Sequence, residues 1–143
     1  GYAIQDVRVT VYDGKYHDVD SKEIAFVAAG KKAFIDAIAK AKPQILEPIV
    51  DLTVSAPEQH MGDITGGLAS KRARINGTDA ARNGEIIIKA QVPLSELTHY
   101  ATELKGATAG RGRYDIDFSH YEPVPGNVQK QLVDSYKPHA DED

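Results

Sequence analysis

The chain opens with a run that alternates like a strand, followed by a run that repeats like a helix. Val7, Val9 and Val11 alternate with polar residues, which is the period of a strand with one buried face. Residues 22–41 place apolar side chains at three- and four-residue steps, which predicts one helix ended by Lys42-Pro43. One strand and one helix cannot close a core. We therefore expect this part to be the second half of a βαβ-type domain whose first half is missing.

The middle of the chain contains four strand-like runs and two helix-like runs. Pro57 and Pro93 each fit the first position of a helix, where the missing N–H of proline costs nothing. The order over residues 47–121 is βαββαβ, the split βαβ or ferredoxin-like arrangement. The residues expected to face its core are Val50, Leu52 and Val54, then Met61, Ile64 and Leu68, then Ile86, Ile88, Ala90 and Val92, and then Leu94, Leu97, Ala101 and Leu104. Tyr114, Ile116 and Phe118 alternate as the fourth strand.

A last helix is predicted from about residue 127 to residue 136, after Pro123-Val124-Pro125. The fold class is therefore α+β, in three parts. Residues 1–42 form the partial βαβ-type domain, residues 43–122 the ferredoxin-like domain, and residues 123–143 the final helix and a loose acidic tail.

Composition narrows the classes of function. The 143 residues include no cysteine, which excludes a disulfide framework and thiolate metal sites. No run is long enough to cross a bilayer and no secretory signal is evident, so we expect a soluble protein. The formal net charge of -4 argues against indiscriminate coating of nucleic acid. Any RNA contact must come from local basic patches, such as Lys71, Arg72 and Arg74 or Lys105, Arg111 and Arg113.

The segment from Gly14 to Ser21, between the first strand and the first helix, has more chemistry than a connector needs. One interpretation is a solvated loop, in which Asp20 or Ser21 caps the following helix. The other is a protruding tip that contacts a polyanion through Lys15, Tyr16 and His17. Composition alone leaves both open.

Enzymatic and metal-dependent functions are disfavoured. His60, His99 and His120 lie on different predicted elements, without the i, i+4 spacing of helical metal sites. A His17/Asp18 pair has no oxyanion donor or second carboxylate to assist it. A small-molecule regulatory module remains an alternative, because ferredoxin-like units can bind ligands between helices and sheet and fold alone does not refute this.

Several motifs together resemble bacterial elongation factor G. The run from Val7 to Ser21, with Glu23 and Ala25-Phe26, resembles the middle of the fourth domain of that family. The later matches, in the family's order, are Lys40-Ala41-Lys42-Pro43, Leu46-Glu47-Pro48-Ile49, Met61-Gly62-Asp63-Ile64, Val92-Pro93-Leu94-Ser95, Tyr100-Ala101-Thr102, Gly110-Arg111-Gly112 and Phe118-Ser119-His120-Tyr121. The resemblance covers the chain to about Tyr136.

The resemblance implies a C-terminal part of a ribosomal translocase. It would comprise the second half of domain IV, similar to the second domain of ribosomal protein S5, and the ferredoxin-like domain V. No phosphate-binding loop is present, so this chain is expected to be no enzyme and to hold no cofactor or metal, while GTP and Mg²⁺ would belong to the absent GTPase domain of the parent.

The resemblance also assigns roles to residues. Lys15, Tyr16 and His17 would enter the 16S decoding region and follow the tRNA–mRNA complex, while Gly14, Asp18, Asp20 and Ser21 would shape the loop and cap the helix. In domain V, Lys105, Thr108 and Arg111 would contact the sarcin–ricin loop and the stalk base of the large subunit. Lys105-Gly106 replaces the Arg-Ser common in the family, and Ala109 replaces Gln. Lysine keeps the charge there without the planar fork of arginine.

These expectations define the partners. The chain should act as a cytoplasmic monomer on the ribosome, with no membrane contact. Within the translation factors, a paralogue devoted to ribosome recycling remains an alternative to the translocase itself.

Overall fold

The computed structural model describes residues 1–19 and 21–137, which belong to two compact units. One unit contains residues 1–44 together with the segment from Pro125 onward, and the other contains residues 45–124. Within the described residues, none of the helices combines the length and the apolar character that a bilayer crossing requires.

Four α-helices and four strands make up the regular structure of the described residues. They are α1 (Glu23–Lys40), β1 (Leu46–Pro57), α2 (Met61–Ser70), β2 (Arg74–Ala80), β3 (Glu85–Pro93), α3 (Tyr100–Ala107), β4 (Arg113–Pro123) and α4 (Gly126–Ser135). Short 3-10 turns precede α2 and α3, at Glu58–His60 and Leu94–Leu97.

The unit of residues 45–124 has the predicted ferredoxin-like fold. Its sheet has the order β2-β3-β1-β4, and every neighbouring pair is antiparallel. Because β1 and β2 are separated by β3, the sequence order βαββαβ produces the expected split βαβ arrangement. The fold class inferred from residue patterning is confirmed.

The hydrophobic core lies on one face of this sheet. Alternate residues of the two central strands point into it, as the period of two requires. α2 contributes Ile64 and Leu68, and α3 contributes Tyr100 and Leu104. The strand residues of this core are Val50, Leu52, Val54 and Ala56 of β1 and Ile86, Ile88, Ala90 and Val92 of β3. All of them except Ala56, where the first strand was expected to stop, are those that the alternation predicted.

The predicted helix starts at Pro57 and Pro93 are wrong. Both prolines have extended backbone, with ψ of 139° and 132°, and each is the last residue of its strand. The helices therefore begin later, at Met61 and Tyr100, and a later start changes which side chains face inward. Tyr100 is buried, whereas Leu94 and Ala101, which were expected to face the core, are exposed.

Met61, which was expected to face the core, and two apolar residues of the fourth strand lie at the margin of the core or outside it. Met61, at the start of α2, is 41% exposed. On β4, which is an edge strand, Ile116 and Phe118 are 42% and 59% exposed. Only Tyr114 of that strand packs on the core, with its ring edge-on to Tyr100 at a centroid distance of 5.2 Å.

The other unit contains α1 and α4. α1 confirms the predicted helix, but none of its residues is buried and only Phe34 and Ile38 are partly buried. α4 confirms the predicted final helix. The side-chain amide of Gln129 on α4 donates a hydrogen bond of 3.1 Å to the carbonyl of Pro43, which links this helix to the end of the N-terminal segment.

The predicted first strand does not form. Residues 1–19 contain no strand, and Val7, Val9 and Val11 are 46%, 62% and 87% exposed. A strand is stable only when neighbours satisfy its backbone groups, and β1–β4 pair with one another, not with this segment. The alternating pattern is therefore present without the partner strand that would convert it into secondary structure.

Candidate nucleic-acid interface

The tip loop, residues Gly14 to Val19, lies on the surface. Lys15, Tyr16, His17 and Asp18 are all exposed, and the Tyr16 ring retains 72% of its accessible surface. The loop begins with a local hydrogen bond of 2.8 Å from the Gly14 amide to the Asp13 carboxylate. An aspartate that accepts a nearby backbone amide is a common way to start a turn. The sequence thus folds here into a self-supported polar loop.

Ser21 fixes the centre of this loop. Its hydroxyl accepts a hydrogen bond of 2.8 Å from the His17 amide and donates one to the His17 carbonyl. One side chain therefore satisfies both backbone polar groups of His17. The exposed imidazole is thus carried on a constrained backbone. The loop-shaping role expected of Ser21 has a direct structural basis.

The helix-cap role expected of Ser21 is wrong. α1 begins at Glu23, its N-cap residue is Lys22, and no side chain caps it. The Ser21 hydroxyl is engaged by His17 instead, because serine side chains readily bond to backbone groups outside a helix. Asp20, the other expected cap, lies outside the described residues.

The tip loop offers cationic and polar donors that pair with no carboxylate of the described residues. Among the described residues, no carboxylate lies within 4.0 Å of the Lys15 ammonium or the His17 ring. Lys15 supplies a positive charge, Tyr16 an exposed aromatic face and His17 ring nitrogens that can donate. This combination suits contact with phosphates, sugars and the edges of an RNA helix without base-specific reading.

The second candidate segment is the loop between α3 and β4. It turns through two consecutive residues in the left-handed region, Ala109 at φ 49° and Gly110 at φ 79°. The Gly110 amide donates a hydrogen bond of 2.7 Å to the carbonyl of Lys105, which ends the helix in the manner of common C-terminal caps. The backbone of this loop is therefore rigidly tied to the last turn of α3.

The RNA contact that the resemblance implied for Thr108 is wrong. Thr108 is fully buried, with 0% exposure. Its hydroxyl donates a hydrogen bond of 2.6 Å to the Leu104 carbonyl and accepts one of 2.7 Å from the Gly112 amide. The side chain therefore builds the turn and has no surface with which to contact RNA. Its residue type could not have revealed this, because threonine occurs both in buried turns and on surfaces.

Lys105 and Arg111 flank this buried threonine and are exposed. Among the described residues, neither has a carboxylate within 4.0 Å. An exposed cation without an ion pair gives up no ion pair within the protein when it binds a phosphate. The geometry therefore leaves both residues available for the role expected of them.

The other basic cluster of the sequence is committed to the fold. Lys71 pairs with Glu103 at 2.8 Å, and Arg74 pairs with Glu122 at 2.7 Å. Arg72 donates to both Glu47 and Glu96, at 2.7 and 3.1 Å. The hydrogen bond with Glu47 is the main reason that the pKa of Arg72 is raised above its ordinary value. These three cations are neutralised locally, a distinction that sequence spacing did not show.

His120 belongs to a polar network on β4. Its Nε2 lies 2.7 Å from a Glu122 carboxylate oxygen, and its Nδ1 lies 2.8 Å from the Ser119 hydroxyl. The hydrogen bond between His120 and Glu122, with a further contribution from Arg74, holds the pKa of Glu122 below its ordinary value. The interpretation of His120 as part of a strand is confirmed, and its ring nitrogens are both occupied by neighbours.

Two family models and a solved structure match this chain. Residues 1–42 match the family model described as elongation factor G, domain IV, and residues 44–132 match the one described as elongation factor G C-terminus. A crystal structure of a protein from Thermus thermophilus is similar, with 40% identity and a TM-score of 0.69 over 85% of this chain. The match spans 18% of that protein's length. The chain belongs to the elongation factor G family, whose domain IV and C-terminal domain its two segments match.

Proposed function

We propose that this chain is the ribosome-contacting part of a translocase GTPase. In this proposal, Lys15, Tyr16 and His17 enter the 16S decoding region and accompany the tRNA–mRNA complex as it moves. The observation that carries the proposal is the clamp of Ser21 on His17. That clamp orders the backbone of an exposed histidine at the tip of the loop.

A loop that transmits force to RNA needs that rigidity. A flexible loop would change its conformation on contact with the RNA. A loop that is already ordered binds without the entropic cost of ordering. Asp18, which would repel phosphate, is expected to shape the loop. Contacts to phosphate and sugar position a protein without sequence choice, which a factor acting on every codon requires.

The unit of residues 45–124 would provide the second anchor. Lys105 and Arg111 are proposed to contact large-subunit rRNA at the sarcin–ricin loop and the stalk base, as isolated charges. Lys105 supports electrostatic contact rather than stacking, since lysine has no planar fork. The parent protein would supply the GTPase activity, with GTP and Mg²⁺ bound outside this chain, and the place of action would be the cytoplasm.

Site-directed crosslinking tests this placement. The chain has no cysteine, so Tyr16→Cys introduces one thiol in this part of a full-length factor. With a thiol-directed photo-crosslinker, the factor bound to ribosomes should label small-subunit rRNA and mRNA or tRNA. Asp36→Cys is the control. Residue 36 lies in α1, fifteen residues after Ser21, and the rise of the helix places it about 20 Å from the tip loop. Equal labelling from both positions, or labelling of no RNA from residue 16, would refute the proposed insertion of the tip.

A further inference from the structure

The cations of residues 45–124 divide sharply into paired and unpaired groups. This unit contains eight lysines and arginines and is described throughout. Five of them lie within 4.0 Å of a carboxylate: Lys71, Arg72, Arg74, Lys89 and Arg113. Three have no such partner among the described residues: Arg82, Lys105 and Arg111. Arg82 thus shares the property that makes the other two candidates for polyanion contact.

The sheet register places Arg82 at the same end of the unit as Arg111. Arg82 lies in the turn between β2 and β3, three residues before Glu85, and Arg111 lies two residues before Arg113. Glu85 pairs with Pro57 and Arg113 with Ser55, so both strands start beside the end of β1. Arg113 and Glu85 lie 4.0 Å apart, which directly links the bases of the two loops.

Lys105 belongs to the same end. It lies in the last turn of α3, and its carbonyl accepts the Gly110 amide of the loop that leads to β4. The two loops and the end of this helix therefore present three exposed cations at the same end of the sheet, where β1 ends.

The β2–β3 turn has a defined conformation. Asn83 and Gly84 are consecutive left-handed residues, with φ of 65° and 73°, the geometry that suits a tight hairpin. The Ala81 amide donates a hydrogen bond of 2.7 Å to the Glu85 carbonyl and closes the turn. Arg82 is therefore presented from an ordered hairpin, and its side chain is exposed.

The carboxylates closest to Arg82 in sequence are engaged elsewhere. Asp79 pairs with Lys89 at 3.4 Å, and Glu85 faces Arg113. Their negative charges are partly neutralised by these other cations. Neither of these two carboxylates therefore pairs with Arg82.

We infer that Arg82 is a phosphate-binding residue which extends the surface of Lys105 and Arg111 into one site for the backbone of folded RNA. The inference deepens the proposed function and rests on it. The three residues are cations, and cationic side chains make many of the phosphate contacts that position a protein on a nucleic acid. Two loops from different parts of the chain would then touch the RNA, which fixes its orientation better than one loop does.

Salt dependence of binding tests the inference. The 143-residue chain is titrated with purified large ribosomal subunits from about 50 to about 300 mM KCl. Each phosphate contact contributes roughly 0.7 to 0.9 to the slope of log K against log salt concentration. Arg82→Gln should lower that slope by about this amount, as Lys105→Gln and Arg111→Gln should, and Arg82→Lys should restore most of it.

Arg74→Gln is the matched control, because Arg74 is an exposed arginine of the same sheet that is already paired with Glu122. It should leave the slope unchanged, and urea unfolding confirms that each variant is folded. If Arg82→Gln keeps the full slope while Lys105→Gln and Arg111→Gln lower it, the inference about Arg82 is overturned and the proposed function stands. If the unaltered chain shows no salt-dependent binding to the subunits, both the inference and the proposed rRNA contact of this unit are overturned.

Discussion

The guanidinium of Arg72 binds the carboxylate of Glu47 through two parallel hydrogen bonds, of 2.7 and 3.0 Å. Glu47 retains only 8% of its accessible surface, and Arg72 also reaches Glu96. This bidentate pair joins the start of β1 to the turn that follows α2. Arginine is suited to it because its planar fork matches a carboxylate. A basic cluster that looked in the sequence like a candidate RNA patch is therefore part of the framework.

Arg72→Ala should destabilise the fold. Removal of one partner leaves the nearly buried Glu47 carboxylate without compensation, which costs about 3–5 kcal/mol in fully buried pairs. Because Arg72 is one-third exposed, we expect a smaller loss, of about 2 kcal/mol in the free energy of unfolding measured with urea. Lys40→Ala, which removes an exposed i, i+4 pair with Asp36, should change it by less than about 0.5 kcal/mol. Equal losses in the two variants would contradict this reasoning.

Ser21→Ala should loosen the tip without unfolding it. A net hydrogen bond contributes about 0.5–1.5 kcal/mol, so amide exchange at His17 should accelerate by roughly 2- to 12-fold. Hydrogen exchange followed by NMR measures this rate. Ser21→Thr keeps the hydroxyl and should retain most of the protection. If exchange at His17 is the same with alanine as with serine, Ser21 does not hold this loop.

Gly112→Ala and Gly106→Ala should have opposite effects. A Cβ at residue 112 would lie 2.8 Å from both the Leu104 Cγ and the Thr108 hydroxyl, so we expect a loss of about 1–3 kcal/mol. A Cβ at residue 106, inside α3, meets no atom within 4 Å, and alanine there should stabilise by about 0.5–1 kcal/mol. Urea unfolding of the two variants checks this. A destabilised Gly106→Ala would show that the helix end is packed differently.

Tyr100→Phe should protect the fold at high pH. Burial, with smaller effects of Glu103 and Tyr114, raises the pKa of Tyr100 to about 12. Since the folded-state pKa is the higher one, the contribution of this group is complete below about pH 10 and is lost as the pH rises toward 12. The phenylalanine variant should lack that loss. The measurement is the free energy of unfolding of both proteins as a function of pH, and the two curves should diverge above about pH 10.

The same variant should fold at neutral pH at least as well as the unaltered chain. Among the described residues, the buried Tyr100 hydroxyl has no hydrogen-bond partner, so its removal relieves an unsatisfied group. A clear loss of stability near neutral pH, or identical alkaline curves, would contradict this account of Tyr100.

The ferredoxin-like unit was predictable from hydrophobic spacing because every strand finds its partner within the same stretch of chain. The alternation of Ile86, Ile88 and Ala90 determines which face is buried, and the antiparallel pairing with β1 follows. Residues 7–11 have an equally regular pattern, but no partner strand in the described part of the chain. Periodicity indicates what a segment can form, whereas pairing decides whether it does.

The sequence indicated which residues of the candidate site would be exposed better than it indicated what each residue does. Lys15, Tyr16, His17, Lys105 and Arg111 are exposed, as contact with RNA requires, but exposure alone does not establish that contact. Ion pairing was not predictable, because Arg74 meets Glu122 across 48 residues of sequence. The helix-cap role of Ser21 and the RNA-contact role of Thr108 were misassigned for a related reason. A hydroxyl has several possible partners, and only the three-dimensional structure shows which one it has taken.

The most direct test of the central claim is the rate of a single round of translocation by a full-length factor that carries His17→Ala. If His17 donates to RNA at the tip, loss of a contact to a charged group should slow movement by roughly 10- to 100-fold, while GTP hydrolysis stays within about twofold. His99→Ala, which alters an exposed histidine of the other unit, should translocate at the normal rate. An unchanged translocation rate with His17→Ala would contradict the account of the tip.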